Sequence, residues 1–409
     1  MFIYNLGIRF YGLFLWLASF FNPKAKKWVN GRKNWESQLP NVKNKKVVWF
    51  HCASLGEFEQ GRPVIEEWKK RFPTNFILVT FFSPSGYEIQ KNYSHADHIM
   101  YLPLDTPKKA KKFITHFQPT TVFFIKYEFW LNYIFTAKKA NVNLFSLSAL
   151  FRPNQRFFKW YGKVFRRALH HFDYFFVQNQ ASQQLLNSIG VQNVKITGDT
   201  RYDRIFDRIA EQKENELIKN WLGDEKAFVI GSSWPADEAI ISPMINNQNW
   251  TKKVIIAPHN VDKKHVKQLT IGLKKTYSCY TEVNGEIPKE SQILVLDCIG
   301  VLADAYKYGE FAYVGGAFGT GLHNILEPAG FGLPVVFGPK FSKFPEAHDF
   351  IERGIGFSVE SQTELSSKLN HIEQHLEELK SKVLDFTNQQ KGARNKVLEV
   401  LEQQFQLSE

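Results

Sequence analysis

The stretch "WFHCASLGEFEQGRPVIEEW", Trp49–Trp68, sets the fold class. An apolar run, Val47–Phe50, ends in small residues. Glu57 then follows a glycine where the amphipathic segment Arg62–Phe72 is about to begin. Strand, small-residue turn, helix with an acid at its start: this is the opening of a βαβ unit. A second copy of the pattern appears at "GSSWPADE", after the run "KAFVIGSS".

Working outward, "KKVVWFH", "FILVTFF", "TVFFIKYE", "NLFSLSA" and "YFFVQN" read as strands. So do "KAFVIGSS", "KKVIIAPH", "QILVLD", "FAYVGG" and "LPVVFG" further on. Their near-continuous apolar character suits parallel sheets covered on both faces. The helical segments between them, such as Pro107–Phe117, supply the crossovers. The polar stretch Arg201–Lys226 carries no strand signal. Four parts follow: a hydrophobic and basic N-terminal helix over 1–35, a Rossmann-like domain over 36–201, a linker over 202–226, and a second Rossmann-like domain with C-terminal helices over 227–409. A chain of 409 residues is too long for one core, which agrees. Ligands of such sheets sit at the carboxyl ends of the strands, so a two-domain pair is expected to bind in the cleft between its halves.

Composition narrows the function. A net charge of +12 favours an acidic partner, and aromatics at 15%, with 37 Phe, add a membrane-interface character. The three cysteines, Cys52, Cys279 and Cys298, have no paired spacing, which argues for a reducing compartment and against a zinc site. The opening "MFIYNLGIRFYGLFLWLASFF" is apolar but for a stripe of Asn5, Arg9, Gly12 and Ser19. A basic flank of Lys24, Lys26, Lys27, Arg32 and Lys33 follows. It lacks the charge order and cleavage site of a signal peptide. A helix lying in an anionic membrane face fits best; a spanning helix is allowed by length but would place Arg9 mid-membrane, and docking on the protein's own core is the other alternative. In Phe151–His171, Arg156, Lys159, Lys163, Arg166 and His170 recur at steps of three and four, as on one basic face of a helix.

The segment "FAYVGGAFGTGLHNILEPAGFGLPVVFGPKFSKFPEA", Phe311–Ala347, is richest in chemistry. A strand ends at Gly315-Gly316, a glycine loop follows, and Glu327 lies in the first turn of the next helix, which starts near His323-Asn324. Glycines let backbone N–H groups approach a phosphate, and a carboxylate on the following turn can accept ribose hydroxyls. No Walker lysine or dinucleotide fingerprint is present. Asp199, Asp203 and Asp207 alternate with Arg201, Arg204 and Arg208, which reads as a salt-laced helix and not as a metal cluster.

HCASLGE, KYEFW, GDTRYD, GGAFGTGLHNILEPAGFGLPVVFGP and KFPEA, in that order, resemble the 3-deoxy-D-manno-octulosonic acid (Kdo) transferases of lipopolysaccharide synthesis. The resemblance implies a GT-B fold, α/β with two doubly wound domains, acceptor in the first and nucleotide donor in the second. It implies inverting transfer of Kdo from CMP-Kdo to the phosphorylated lipid A precursor, on the cytoplasmic face of the inner membrane, with no metal or other cofactor and no nucleic-acid partner. It makes Glu57 the general base, pointing into the cleft and not capping its helix, with Gly56 letting the chain turn. Glu128 and Arg201 would support the transition state, with arginine standing where the family has lysine. CMP contacts map onto Pro258, His259, Ile299, Gly300, Val301, Gly315, Gly316, Asn324, Ile325, Leu326, Glu327 and Lys343. Acceptor contacts map onto Ser54, Gly56, Arg152 and Arg156. His259 replaces an arginine of the family pattern and Val301 a glutamate. Two other readings are a GT-B enzyme using a UDP- or GDP-sugar and a basic nucleic-acid binder. The latter lacks a basic platform with interleaved aromatics.

Overall fold

The computed structural model describes residues 1–126, 128–319 and 321–405. The chain forms two compact units. One comprises Met1–Arg204 together with the segment from Gly392, and the other Ile205–Lys391.

The first unit holds a parallel sheet of β1 (Val47–Cys52), β2 (Phe76–Phe81), β3 (His98–Tyr101), β4 (Thr121–Ile125), β5 (Asn143–Ala149), β6 (Tyr174–Val177) and β7 (Val194–Ile196). Its order is β3-β2-β1-β4-β5-β6-β7. Every residue of β1, β2 and β4 is buried, as two covered faces require. Alternate residues feed opposite cores: Val47 and Trp49 join Phe124 on one face, while Val48 and Phe50 join Phe123 on the other.

The second unit repeats the plan with β8 (Ala227–Ser233), β9 (Val254–Pro258), β10 (Tyr277–Cys279), β11 (Ile293–Val295), β12 (Gly309–Val314), β13 (Val335–Phe337) and β14 (Gly356–Ser358). Its order is β10-β11-β9-β8-β12-β13-β14. Each sheet reverses its winding once, between β1 and β4 and between β8 and β12. These switch points open crevices at the carboxyl ends of the strands.

Six helices matter below: α1 (Phe2–Ala18), α2 (Leu55–Arg71), α3 (Arg201–Glu211), α4 (Pro235–Ile245), α5 (Leu326–Gly330) and α6 (Ala393–Phe405). The expected linker is largely helical, since α3 and the helix Glu216–Leu222 occupy it. The C-terminal segment does not stay with the second unit. Val397, Leu398, Val400 and Leu401 of α6 bury in the first unit's core, and Glu402 pairs with Arg71 at 2.7 Å. The Asp203 carboxylate accepts the Gly392 and Arg394 backbone N–H groups at 2.6 and 2.7 Å, capping α6.

Helix α1 lies along the first unit through part of its polar stripe. Tyr4 donates to Asp105, Asn132 donates to Asn5 at 2.9 Å, and Ile8 is buried. Its other face is bare: Phe2, Ile3, Phe10, Leu13 and Phe14 are exposed. No described helix is long and apolar enough to cross a membrane. Arg32 departs from the expected basic flank. It is buried, donates to the Leu102, Trp28 and Phe82 carbonyls, and lies 3.9 Å from the Trp28 ring centroid.

The basic helix expected over Phe151–His171 is also absent. Tight turns at Arg156–Phe158 and Trp160–Gly162 precede a helix of Lys163–Leu169. Lys159 is extended between the turns, and a Cβ at Gly162 would collide with the Arg156 carbonyl oxygen. That close return replaces the first helical turns and scatters the basic stripe.

Candidate active site

In the first unit, charged groups gather at the β1–β4 switch point. Glu57 is the third residue of α2, whose N-cap Ser54 makes no side-chain cap bond. The Glu57 carboxylate instead accepts the backbone N–H of Ala53, the residue before that N-cap. The expectation that it avoids capping is therefore corrected: it turns back onto its own helix start, much as in a capping box. Gly56 has ordinary helical backbone, and a Cβ there would meet nothing within 4 Å. It is not needed for a turn.

Glu57 is only 7% exposed. Burial and then the charge of Glu128 push its proton affinity up, outweighing the Ala53 N–H, Lys126 and the Ser54 N–H. Burial likewise raises Glu128, against a hydrogen bond from Trp130. Trp130 also donates to His51 Nε2 at 3.0 Å. The imidazole of His51 is held far below its usual range, chiefly by burial, so that nitrogen stays an acceptor. Two carboxylates short of water, one raising the other, make a group able to take a proton near neutral pH.

Arg201 opens α3 after β7 and is tied to Asp199 by 2.6 and 2.9 Å side-chain bonds. Burial raises Asp199, but the Arg201 charge, its side-chain and backbone hydrogen bonds and the Lys126 charge together hold it below the usual carboxylate range. Arg152 is exposed, and its backbone N–H donates to Gln155 Oε1. Arg156 lies 4.7 Å from the Phe165 ring and lines a cavity of about 1370 Å³. Phe2 and Ile3 of α1, Glu128 and Trp130 line it too. The site thus has an apolar annex that the sequence did not reveal.

In the second unit, Pro258 ends β9, and the His259 backbone N–H donates to the Ser233 carbonyl at 2.8 Å. The His259 ring stacks on Trp234 at 4.4 Å and on His323 at 4.5 Å. Trp234 donates to His323 Nε2 at 3.0 Å. Beneath them Asp237 is fully buried. It accepts the Tyr313 hydroxyl at 2.8 Å and the Trp234 and Gly316 N–H groups, each at 2.9 Å. Gly316 has φ +96°, and a Cβ there would collide with the Gly321 carbonyl oxygen. Gly315, Gly316 and His259 therefore converge at the β8–β12 switch point. Trp234 and Asp237 complete the group, unassigned in the sequence reading. Their signal was the likeness of GSSWPADE to HCASLGE.

The remaining predicted donor residues lie on flanking loops. Ile299 is 90% exposed, Gly300 has φ +100°, and Val301 caps the short helix Leu302–Ala305. Asn324 donates to Glu327 at 3.2 Å and accepts the Leu326 N–H, so the pair starts α5 two residues later than expected. Ile325 and Leu326 are buried, leaving only their backbone for a ligand. Lys343 is exposed on the loop after β13. Among the described residues, no group of three or more His, Cys, Asp and Glu side chains is placed to hold a metal.

Comparison with known proteins places this geometry. A UDP-GlcNAc 2-epimerase from Neisseria meningitidis, solved with UDP-GlcNAc, superposes with a TM-score of 0.62 at 15% identity, covering 87% of this chain and 99% of its own. A glycosyltransferase from Rickettsia africae gives 0.56 at 12% identity, covering 89% and 100%. The class is thus a two-domain α/β protein with GT-B-like parallel sheets.

Residues 30–204 match the family model described as 3-Deoxy-D-manno-octulosonic-acid transferase (kdotransferase). The 3-deoxy-D-manno-octulosonic acid transferase of Aquifex aeolicus is 28% identical over 82% of this chain and 88% of its own. That of Chlamydia trachomatis serovar D is 25% identical over 90% and 88%. A bifunctional glycosyltransferase/methyltransferase of Fusobacterium nucleatum is 26% identical over 91% of this chain, which spans 59% of that longer protein. The chain is thus similar to Kdo transferases along most of its length, in keeping with the resemblance read from its motifs.

Proposed function

We propose that the protein transfers Kdo from CMP-Kdo to a hydroxyl of the phosphorylated lipid A precursor by a single inverting displacement. The observation that carries this reading is the pair Glu57 and Glu128, two carboxylates short of water at the first sheet's switch point. An acceptor hydroxyl needs a base, and Glu57 is raised toward the pH at which a carboxylate base works best. It takes the hydroxyl proton as the bond from the anomeric carbon to the CMP phosphate breaks through an oxocarbenium-like state. Glu128 keeps that base from being too weak, and its own charge suits a developing cation. Arg201 and Lys126 supply positive charge for the departing phosphate. No metal is assigned a step.

The second unit takes the donor, through Pro258, His259, the Ile299–Val301 and Gly315–Gly316 loops, Asn324–Glu327 and Lys343. Ser54, Gly56, Arg152 and Arg156 take the acceptor, whose acyl chains suit the cavity beside Arg156. The bare face of α1, with exposed Trp160 and Tyr161, suits the anionic cytoplasmic face of an inner membrane.

The test is transfer to a tetra-acylated lipid A precursor from CMP-Kdo, with UDP- and GDP-sugars in parallel and products weighed by mass spectrometry. A Kdo-bearing product is expected from CMP-Kdo alone, reduced about 100-fold or more in Glu57→Ala. Product from a UDP- or GDP-sugar instead would overturn the donor assignment. Near-full activity in Glu57→Ala would remove Glu57 as the base.

A further inference from the structure

The ring group at the β8–β12 switch point has a proton inventory of its own. The Trp234 and His323 planes lie within 9° of each other and are joined edge to edge by the indole N–H. That bond fixes the tautomer: His323 Nε2 must carry a lone pair, so the ring proton sits on Nδ1. His259 lies across both rings. Its only described polar bond is the backbone N–H to Ser233, so both ring nitrogens are open to a ligand. The residue is exposed, whereas His323 is half-buried.

We propose that His259 receives the phosphate of the donor nucleotide as an imidazolium, so that donor binding takes up a proton that binding through arginine would not require. This rests on the reading of the second unit as the donor site. The charge balance is simple. The free site holds two neutral imidazoles face to face. A phosphate brings negative charge, one proton enters from solvent onto a His259 ring nitrogen, and an N⁺–H···O–P hydrogen bond forms. Product release returns the proton.

Several features single out His259. Protonating His323 at Nε2 would break the Trp234 bond, and charging both stacked rings would set like charges about 4.5 Å apart. A charged His259 instead gains the face of Trp234. Burial holds the unliganded His259 below the usual imidazole range, so it enters binding neutral. His323 is also held low, by burial and then by His259, with the Asp237 carboxylate opposing. Asp237 is the charged group that bears on the stack from α4, and it is already engaged by Tyr313, Trp234 and Gly316.

The experiment is calorimetry of CMP binding to the full chain at several pH values, in two buffers of different ionisation heat. Wild type, His259→Gln and His259→Arg are compared, with cytidine as the ligand lacking phosphate. CMP's own phosphate titrates near pH 6, at about its second pKa, and the protons counted with His259→Gln subtract that contribution. Wild type is expected to take up more protons on binding than His259→Gln does, and its affinity to fall with rising pH by up to about tenfold per unit. Glutamine should weaken CMP and flatten the excess pH dependence, and arginine should restore affinity without proton uptake. CMP binding with the same proton count in wild type and His259→Gln would overturn the inference and leave the donor reading standing. Uptake with cytidine would remove the phosphate as its cause. No CMP binding at any pH, with UDP binding intact, would overturn the donor reading and the inference together.

Discussion

Two strand-to-helix turns of this molecule start alike and end in different chemistry. After β1, Glu57 is the third residue of its helix; after β8, Asp237 is the third of its own. Both carboxylates are buried and both turn back toward the helix start. Asp237 meets donors at both oxygens, the Tyr313 hydroxyl on one and the Trp234 and Gly316 N–H groups on the other. Glu57 accepts backbone N–H groups and feels the opposing charges of Glu128, which raises it, and Lys126, which lowers it. One acid is a structural anchor that shapes a glycine loop. The other is a stressed group ready to accept a proton. The same local geometry thus gives scaffold or reactivity according to what the sheet brings opposite the carboxylate.

The contrast predicts stability changes of opposite sign. Asp237→Asn keeps one acceptor oxygen and puts an NH₂ against buried donors, so chemical denaturation should show a loss of about 2–3 kcal/mol, with CMP binding lost as well. Glu57→Gln should gain on the order of 1 kcal/mol at pH 8, because ionising a buried, raised carboxylate opposes folding. The sign follows from linkage. Folded Glu57 holds its proton to a higher pH than the unfolded chain does. Wild-type stability therefore falls as pH rises from the ordinary carboxylate range through the raised value, and glutamine removes that fall. A destabilised Glu57→Gln at pH 8 would make Glu57 a second anchor and collapse the comparison. A third carboxylate, Asp203, has an effect on stability alone. Asp203→Ala removes a cap from α6 and should cost about 1 kcal/mol by thermal unfolding, with donor binding unchanged.

Much of this plan was legible in local sequence. Each of the ten quoted apolar runs became a strand, because full burial on two faces leaves a run that turns cannot mimic. The edge strands β3, β7, β10 and β14 were missed. They are short and half-buried at places, so their composition does not separate them from loops. Helix α6 was assigned to the wrong unit, since an amphipathic stripe says that a face is buried and not against which core. The basic helix over 151–171 failed for a different reason: its spacing was right, but the turn at Gly162 overrode periodicity. At the site, the positions of Glu57, His259 and the two glycines could be read from their motifs. Their electrostatic partners could not. Glu128 reaches Glu57 from the end of β4, and His323 reaches His259 from the loop after β12, and only the sheets bring them together.

The most direct measurement is the pH profile of kcat/KM for wild type and Glu128→Gln. With Glu57 as a base raised by burial and by Glu128, wild-type activity should be lost as pH falls through a value well above the ordinary carboxylate range. Removing the Glu128 charge should move that acid limb to lower pH. An acid limb in the ordinary carboxylate range that stays in place in Glu128→Gln would contradict the account.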